Sequence, residues 1–158
     1  MYPLRAPLCG GGLADAQRGI MSAQGDLFTR FGDVWVTGEV DVLDELFPGD
    51  IAYHLPPFPD MDKEGLKQFI AAFHQAFPDF DLTIDEEVLD GETSVHRWSC
   101  RATFSGESTL LPAAPTGQST DATGAHVTHW RDGRPVEMWH HGDWLGWLQK
   151  AGVLPPLG

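Results

Sequence analysis

The spacing of hydrophobic residues changes along the chain from a helical to a strand-like repeat. Over 21–38, apolar residues recur every three or four positions, which predicts an amphipathic helix capped at its start by Ser22 or Asp26. The same spacing predicts a second long helix over 62–77, with a short helix over 41–47 between them. The apolar face of the first helix consists of Leu27, Phe28, Phe31, Val34 and Trp35.

Alternation of apolar and polar residues replaces the helical spacing after Pro78. Asp132-Gly133 is a strong signal for a tight hairpin between the last two strands. Helices followed by strands are typical of an α+β fold. We therefore expect a curved antiparallel sheet whose concave face is covered by the N-terminal helices, enclosing a pocket. The predicted strands are 51–55, 80–89, 93–104, 120–130 and 135–143, and a short helix follows over 144–151.

Amino-acid composition limits the classes of partner and the cellular compartment that we expect for this protein. The 158 residues include six tryptophans, enough aromatic material to form a core and line a pocket. With a net charge of −13, nucleic acid and anionic membranes are poor partners and we expect neither, because phosphate binding needs clustered Lys and Arg. No apolar stretch is long enough to span a membrane. Two cysteines, Cys9 and Cys100, make no disulfide framework, so we expect a cytoplasmic protein. We interpret residues 1–20 as a loosely ordered extension and 21–158 as one domain.

Three motifs in the last third of the chain carry a family resemblance. They are the loop Pro115-Thr116-Gly117, the hairpin segment 130–139 and the ending 143–152. Over about residues 24–155 the chain resembles the SnoaL-like polyketide cyclase family of the nuclear-transport-factor-two-like superfamily. The resemblance implies a cone-shaped α+β fold, a homodimer formed through the sheet, and a pocket that works without a cofactor. It also implies an intramolecular aldol ring closure in which one Asp, matching Asp143, is the general acid/base.

Asp143 has a structural and a catalytic interpretation from the residues alone. Asp is a preferred N-cap, and the carboxylate would accept backbone N–H groups of the helix that starts at Trp144. In a pocket walled by tryptophans, desolvation would instead let the same carboxyl give and take protons near pH 7. The two roles do not exclude each other, and the resemblance favours catalysis.

Strand parity suggests the neighbours of Asp143. With a two-residue turn, His126 lies opposite Trp139 and Gly124 lies opposite His141. A β-bulge would invert this parity and make His129 the partner in place of His126, which is the candidate we prefer. The face expected to hold the site carries His126, Thr128, Glu137, Trp139, His141 and Asp143.

Other aromatic and imidazole side chains are candidate pocket residues. His141-Gly142-Asp143 with His126 resembles part of an iron site, but the order of ligands along the chain is wrong, so we expect no metal. Cys100 lies mid-strand without an activating neighbour and is not a candidate nucleophile. The residues predicted to bind substrate are Trp35, His54, His96, Trp98, His129, Trp139 and His141.

These features predict an enzyme that uses acid/base chemistry and no cofactor on an apolar, ketide-derived carbonyl compound. Asp143 would move the proton, and His126 or His141 would hydrogen-bond the carbonyl oxygen. Two alternatives stay open. An epoxide hydrolase or hydroxylase of the same superfamily is one, although Arg97 and Arg101 face outward in the predicted strand. A domain that binds a hydrophobic small molecule without turnover is the other.

Overall fold

The structure, a computed structural model, describes residues 22–157. The predicted extension over 1–20 and Cys9 lie outside the described residues. The helices are α1 (Ala23–Thr37), α2 (Leu43–Leu46), α3 (Lys63–Ala76) and α4 (Trp144–Lys150), and a 3-10 turn over Val40–Val42 leads into α2. The strands are β1 (Ala52–His54), β2 (Asp81–Asp90), β3 (Thr93–Thr103), β4 (Ser119–Arg131) and β5 (Arg134–Gly142).

The two long helices begin and end at residues that the sequence signals. Ser22 caps α1 by accepting the backbone N–H of Gly25 at 2.8 Å. Gly38 ends α1 with φ of 75°, a left-handed conformation that glycine adopts without steric cost. Asp62 caps α3 in the same way, accepting the N–H of Gly65 at 2.8 Å. The predicted helices are therefore confirmed to within one or two residues.

The five strands form one curled sheet in the order β1-β5-β4-β3-β2. The pairs from β2 to β5 are antiparallel, as predicted. β1 pairs parallel with β5, so the expectation of a purely antiparallel sheet is wrong and the sheet is mixed. The open edge of β5 supplies the free backbone groups that β1 needs, and Tyr53 of β1 pairs with Met138 there. The α+β class is confirmed.

The concave inner face of the sheet packs against α1 and α3. Phe28 of α1 stacks on His96 of β3, with ring centroids 4.0 Å apart. The predicted inner face of β3 is confirmed, because Trp98, Ala102 and Phe104 are buried with His96. The outer face near β2 is polar. Arg97 pairs there with Asp85 and Glu86, and Arg101 pairs with Asp81.

A β-bulge changes the register of the last hairpin. Trp130 pairs with Pro135, but the next pair is His129 with Glu137, so Val136 is an extra residue on β5. Proline has no N–H to donate to the ladder, which makes Pro135 a suitable neighbour for a bulge.

The predicted pairing is consequently wrong by one residue on β5. His126 lies opposite His140 instead of Trp139, and Gly124 lies opposite Gly142 instead of His141. The bulge shifts β5 and leaves β4 in place. His126 therefore still faces inward, while His129 faces outward.

Among residues 22–157, no helix combines the length and the apolar character needed to cross a bilayer. The homodimer expected from the resemblance concerns the outer face of the sheet and stays a prediction.

Candidate active site

A pocket lies between the inner face of the sheet and the helices α1, α3 and α4. It opens to solvent, and the enclosed cavity is small, about 50 Å³. Most of its wall is aromatic, and its ionisable side chains are two histidines, one carboxylate and one thiol. Its lining residues are Phe28, Phe31, Gly32, Trp35, Phe73, Phe80, Leu82, Trp98, Cys100, Ala122, His126, His140, Gly142, Asp143, Trp144 and Trp147.

His126 is fully engaged by other side chains. It is buried on the inner face of β4, and its Nδ1 accepts the indole N–H of Trp98 at 2.9 Å. Its Nε2 lies 2.8 Å from the hydroxyl oxygen of Tyr53 and 3.1 Å from Nδ1 of His140. Both ring nitrogens therefore have protein partners.

His140 is the imidazole that the bulge brings to the pocket. It faces His126 across β4 and β5, with the two rings nearly perpendicular and their centroids 4.6 Å apart. Its Nδ1 also lies 3.4 Å from the hydroxyl of Tyr53. Its Nε2 has no protein partner among the hydrogen bonds of the described residues, so this nitrogen is free for a ligand.

Burial keeps both histidines neutral. Desolvation, reinforced by neighbouring histidines, holds the pKa of His126 well below 6.5. Desolvation lowers the pKa of His140 to about 3, with a smaller contribution from His141. Burial also raises the pKa of Tyr53 well above 10, so its hydroxyl stays protonated. At pH 7 the cluster holds no charge and acts through hydrogen bonds.

Asp143 is exposed between β5 and α4; its capping role is confirmed, and its catalytic role stays a prediction. It caps α4, with Oδ1 accepting the N–H of Gly146 at 2.8 Å. It also lines the pocket, where it is the one carboxylate in the wall. Only Oδ1 accepts a hydrogen bond in the cap.

Four predicted site residues line the pocket: Trp35, Trp98, His126 and Asp143. His96 is buried on the same face of the sheet but outside the pocket, where its Nε2 lies 2.8 Å from Oε2 of Glu87. Burial lowers the pKa of His96, an effect that Glu87 opposes. His96 is thus a core residue that ties β3 to β2.

The other four predicted residues lie on the outer face, away from the pocket. They are His54, His129, Trp139 and His141. His54 stacks on Trp139, with centroids 5.2 Å apart, and His129 packs edge-on against the same indole at 4.8 Å. Trp139 and His141 face outward because the bulge turns both residues away from the side of the sheet that carries His126.

The outer-face residues form a small charged cluster of their own. Nδ1 of His54 lies 2.8 Å from Asp60, and Nε2 lies 2.9 Å from Glu137. Asp60 first, and then Glu137, raise the pKa of His54 against the effect of partial burial. The two carboxylates therefore favour the protonated form of this histidine.

Sequence reasoning missed His140, Tyr53, Trp144 and Trp147. Pro135 was the available signal for His140, since a proline inside a strand often marks a bulge. Tyr53 reaches the histidines only through the parallel pairing of β1 with β5, which no local pattern reveals.

The alternative sites considered from sequence do not assemble. His141 and His126 face opposite sides of the sheet, so they do not converge with Asp143 on one ion. No group of three metal-ligating side chains with suitable geometry occurs within residues 22–157. Burial raises the pKa of Cys100 to about 12, so its thiol stays protonated although it borders the pocket.

Comparison with known proteins agrees with this architecture. The family model described as SnoaL-like polyketide cyclase matches residues 25–151. The chain belongs to the SnoaL-like polyketide cyclase family. The fold is that of the nuclear-transport-factor-two-like superfamily. No curated protein sequence matches the chain.

Several solved structures superpose on most of the chain. IdmH of Streptomyces antibioticus, described as a candidate polyketide cyclase, is 29% identical with a TM-score of 0.67, over 81% of this chain and 97% of IdmH. A candidate polyketide cyclase of Acidithiobacillus ferrooxidans is 26% identical with a TM-score of 0.70, over 86% and 99%. AclR of Streptomyces galilaeus, described as a candidate hydroxylase, is 20% identical with a TM-score of 0.72, over 88% and 87%, and supports the fold alone.

Proposed function

We propose that this chain is an enzyme that moves a proton at a carbon next to a carbonyl group and thereby closes a ring by aldol addition. The observation that carries the proposal is an aromatic pocket bordered by one carboxylate and by one neutral imidazole that has a free ring nitrogen. The family supports a ketide-derived substrate, because the matched family model and the two more similar structures are described as polyketide cyclases.

Asp143 takes the proton in this proposal. Its carboxylate removes a proton from the carbon between two carbonyl groups, and the electron pair of the C–H bond becomes the enolate. The enolate carbon then forms a C–C bond to a second carbonyl carbon, whose oxygen becomes an alkoxide. Asp143 returns its proton to that alkoxide, so no net proton is consumed.

His140 stabilises the developing charge. A neutral imidazole N–H directed at the carbonyl oxygen lowers the energy of the enolate without supplying a proton. His140 replaces His141, which lies on the outer face, in the predicted role. His126 acts through His140, because partners already occupy both nitrogens of His126.

The pocket walls favour flat, apolar substrates. Trp35, Trp98, Trp144 and Trp147 contribute large aromatic surfaces that stack on rings and exclude water. Water exclusion strengthens the hydrogen bond from His140 and protects the enolate from the solvent.

A binding domain without turnover is the second candidate. The observation in its favour is that Asp143 is an N-cap, a role that needs no chemistry. The epoxide hydrolase alternative has less support, since Arg97 and Arg101 are paired with carboxylates on the outer face.

Deuterium exchange separates catalysis from binding. The full chain is incubated in D₂O with a panel of polycyclic β-keto compounds, while tryptophan fluorescence monitors binding. The proposal predicts that compounds that bind also exchange the proton between their carbonyl groups, and that those with a second carbonyl in reach form a ring-closed product. Binding without exchange throughout the panel would support the binding domain instead.

A further inference from the structure

Hydrogen bonds link Trp98, His126, Tyr53 and His140 in one continuous chain beneath the pocket. The indole N–H of Trp98 can only donate, so Nδ1 of His126 must accept at their separation of 2.9 Å. A neutral imidazole carries one proton, and that proton is therefore on Nε2 of His126.

The next link fixes the second histidine. Nε2–H of His126 faces the hydroxyl oxygen of Tyr53 at 2.8 Å and Nδ1 of His140 at 3.1 Å. A proton on Nδ1 of His140 would point at the proton of His126, which is repulsive. Nδ1 of His140 must instead accept, either from His126 directly or from the Tyr53 hydroxyl at 3.4 Å. The proton of His140 is then on Nε2.

The last atom of this hydrogen-bonded series, Nε2 of His140, lies at the pocket beside a glycine. A Cβ atom at Gly142 would lie 3.0 Å from Nε2 of His140, and both residues line the pocket. The absent side chain leaves this nitrogen uncovered.

We propose that Trp98 is a positioning residue that, through His126, sets the tautomer of His140 so that a neutral Nε2–H donor faces the pocket. The ligand group that this donor selects is a hydrogen-bond acceptor such as a ketone or enolate oxygen, a consequence that rests on the proposed function. The tautomers themselves do not depend on it.

Two glycines hold Trp98 in the required orientation. Gly124 and Gly142 face each other across β4 and β5, and the six-membered ring of Trp98 lies over both. A Cβ atom at Gly124 would overlap Cζ2 of Trp98, and one at Gly142 would lie 3.1 Å from Cη2. The flat surface formed by this glycine pair lets the indole lie against the sheet and direct Nε1 at His126.

Nitrogen NMR of the ligand-free chain tests the proposal, because two-bond couplings and ¹⁵N shifts identify which nitrogen carries the proton. The expected wild-type result is Nε2–H for both His126 and His140 at pH 7. In Trp98→Phe, the freed Nδ1 of His126 should become partly protonated, with the Nε2 signal moving toward the unprotonated range. A wild-type Nδ1–H on either histidine, or unchanged tautomers in Trp98→Phe, would overturn the proposal.

Two further variants keep the experiment decisive. Trp35→Phe is the matched control, because Trp35 also borders the pocket and its indole nitrogen has no hydrogen-bond partner within residues 22–157. It should leave both tautomers unchanged, and a shift as large as that of Trp98→Phe would count against the proposal.

Should Trp98→Phe not fold, Tyr53→Phe takes its place. His126 should then donate directly to His140 and preserve both tautomers, whereas a move of the His140 proton to Nδ1 would overturn the proposal.

These spectra need no substrate, so they are independent of the proposed reaction. Fixed tautomers in a chain that exchanges no substrate proton would leave this inference standing and remove the proposed function. If the enzyme is active but the two histidines lack fixed tautomers, the proposed function stands and this inference is removed.

Discussion

Nε2 of His126 lies 3.1 Å from Nδ1 of His140, so the two histidines on adjacent strands share a single proton-donating contact. This contact exists because Val136 is an extra residue on β5. Without the bulge, His141 would occupy the inner face and His140 would point outward. One inserted residue therefore decides which imidazole reaches the pocket.

The adjacent histidines on β5 give the first prediction. His140→Phe should lower kcat by about 100-fold or more, the usual effect of losing one hydrogen-bond donor to a developing oxyanion. His141→Phe is the matched control, because His141 is exposed on the outer face, and it should retain the wild-type kcat. Equal losses in steady-state kinetics of the two variants would contradict the assignment.

Acid should destabilise the protein through its buried histidines. His126, His140 and His96 have lowered pKa values in the fold, so below pH 6.5 the unfolded chain binds protons that the native chain does not. The free energy of unfolding then decreases as pH falls from 6.5 toward 3, by up to about 1.4 kcal/mol per pH unit for each histidine.

Urea denaturation at several pH values measures this effect. His140→Phe should show a shallower decrease between pH 6.5 and 4 than the wild type, and His141→Phe should follow the wild type. A slope that is unchanged in His140→Phe would show that His140 is charged in the native state.

His54 should stabilise the protein more at low pH than at high pH, opposite to the buried histidines. Asp60 and Glu137 raise its pKa, so its stabilising effect is fully present below pH 6.5 and is lost as pH rises through the native pKa. His54→Gln should therefore destabilise the chain more at pH 5.5 than at pH 8.5. His129→Gln is the control, because His129 packs against the same Trp139 indole as His54 but its Nδ1 lies 3.9 Å from Glu137, too far for a hydrogen bond. A greater loss for His54→Gln at the higher pH would refute the assignment.

The glycine pair under Trp98 should be intolerant of a methyl group. Gly124→Ala would place Cβ against Trp98 and the carbonyl oxygen of His141, and forcing these atoms apart should cost about 1–3 kcal/mol of stability. Gly49→Ala is the control, since no described residue other than its chain neighbours has an atom within 4 Å of its Cβ position. Thermal unfolding of the two variants checks this, and similar melting temperatures would argue against close packing.

Local signals in the sequence were enough to predict most secondary structure. Ser22, Gly38 and Asp62 mark helix ends through interactions within a few residues, and Asp132-Gly133 marks the hairpin for the same reason. The inner face of β3 also follows from simple alternation.

The site was predicted only in part, because it depends on interactions between distant segments. Alternation specifies faces but not register, and the bulge at Val136 moves every later residue of β5 to the other side. Tyr53 meets His126 across 73 positions of the chain, through a parallel strand pair that leaves no local pattern. Asp143 was identifiable because it marks a helix start and matches a family motif, and both signals are local.

Replacement of the pocket carboxylate by an amide tests the account most directly. Asn also caps helices well, so Asp143→Asn keeps the bond to Gly146 but cannot take up a proton near pH 7. Asp62→Asn is the matched control at the start of α3, outside the pocket. On a substrate that the wild type turns over, Asp143→Asn should be at least about 100-fold slower, with unchanged stability, while Asp62→Asn keeps its full rate. Full turnover by Asp143→Asn would show that this carboxylate is a helix cap and nothing more.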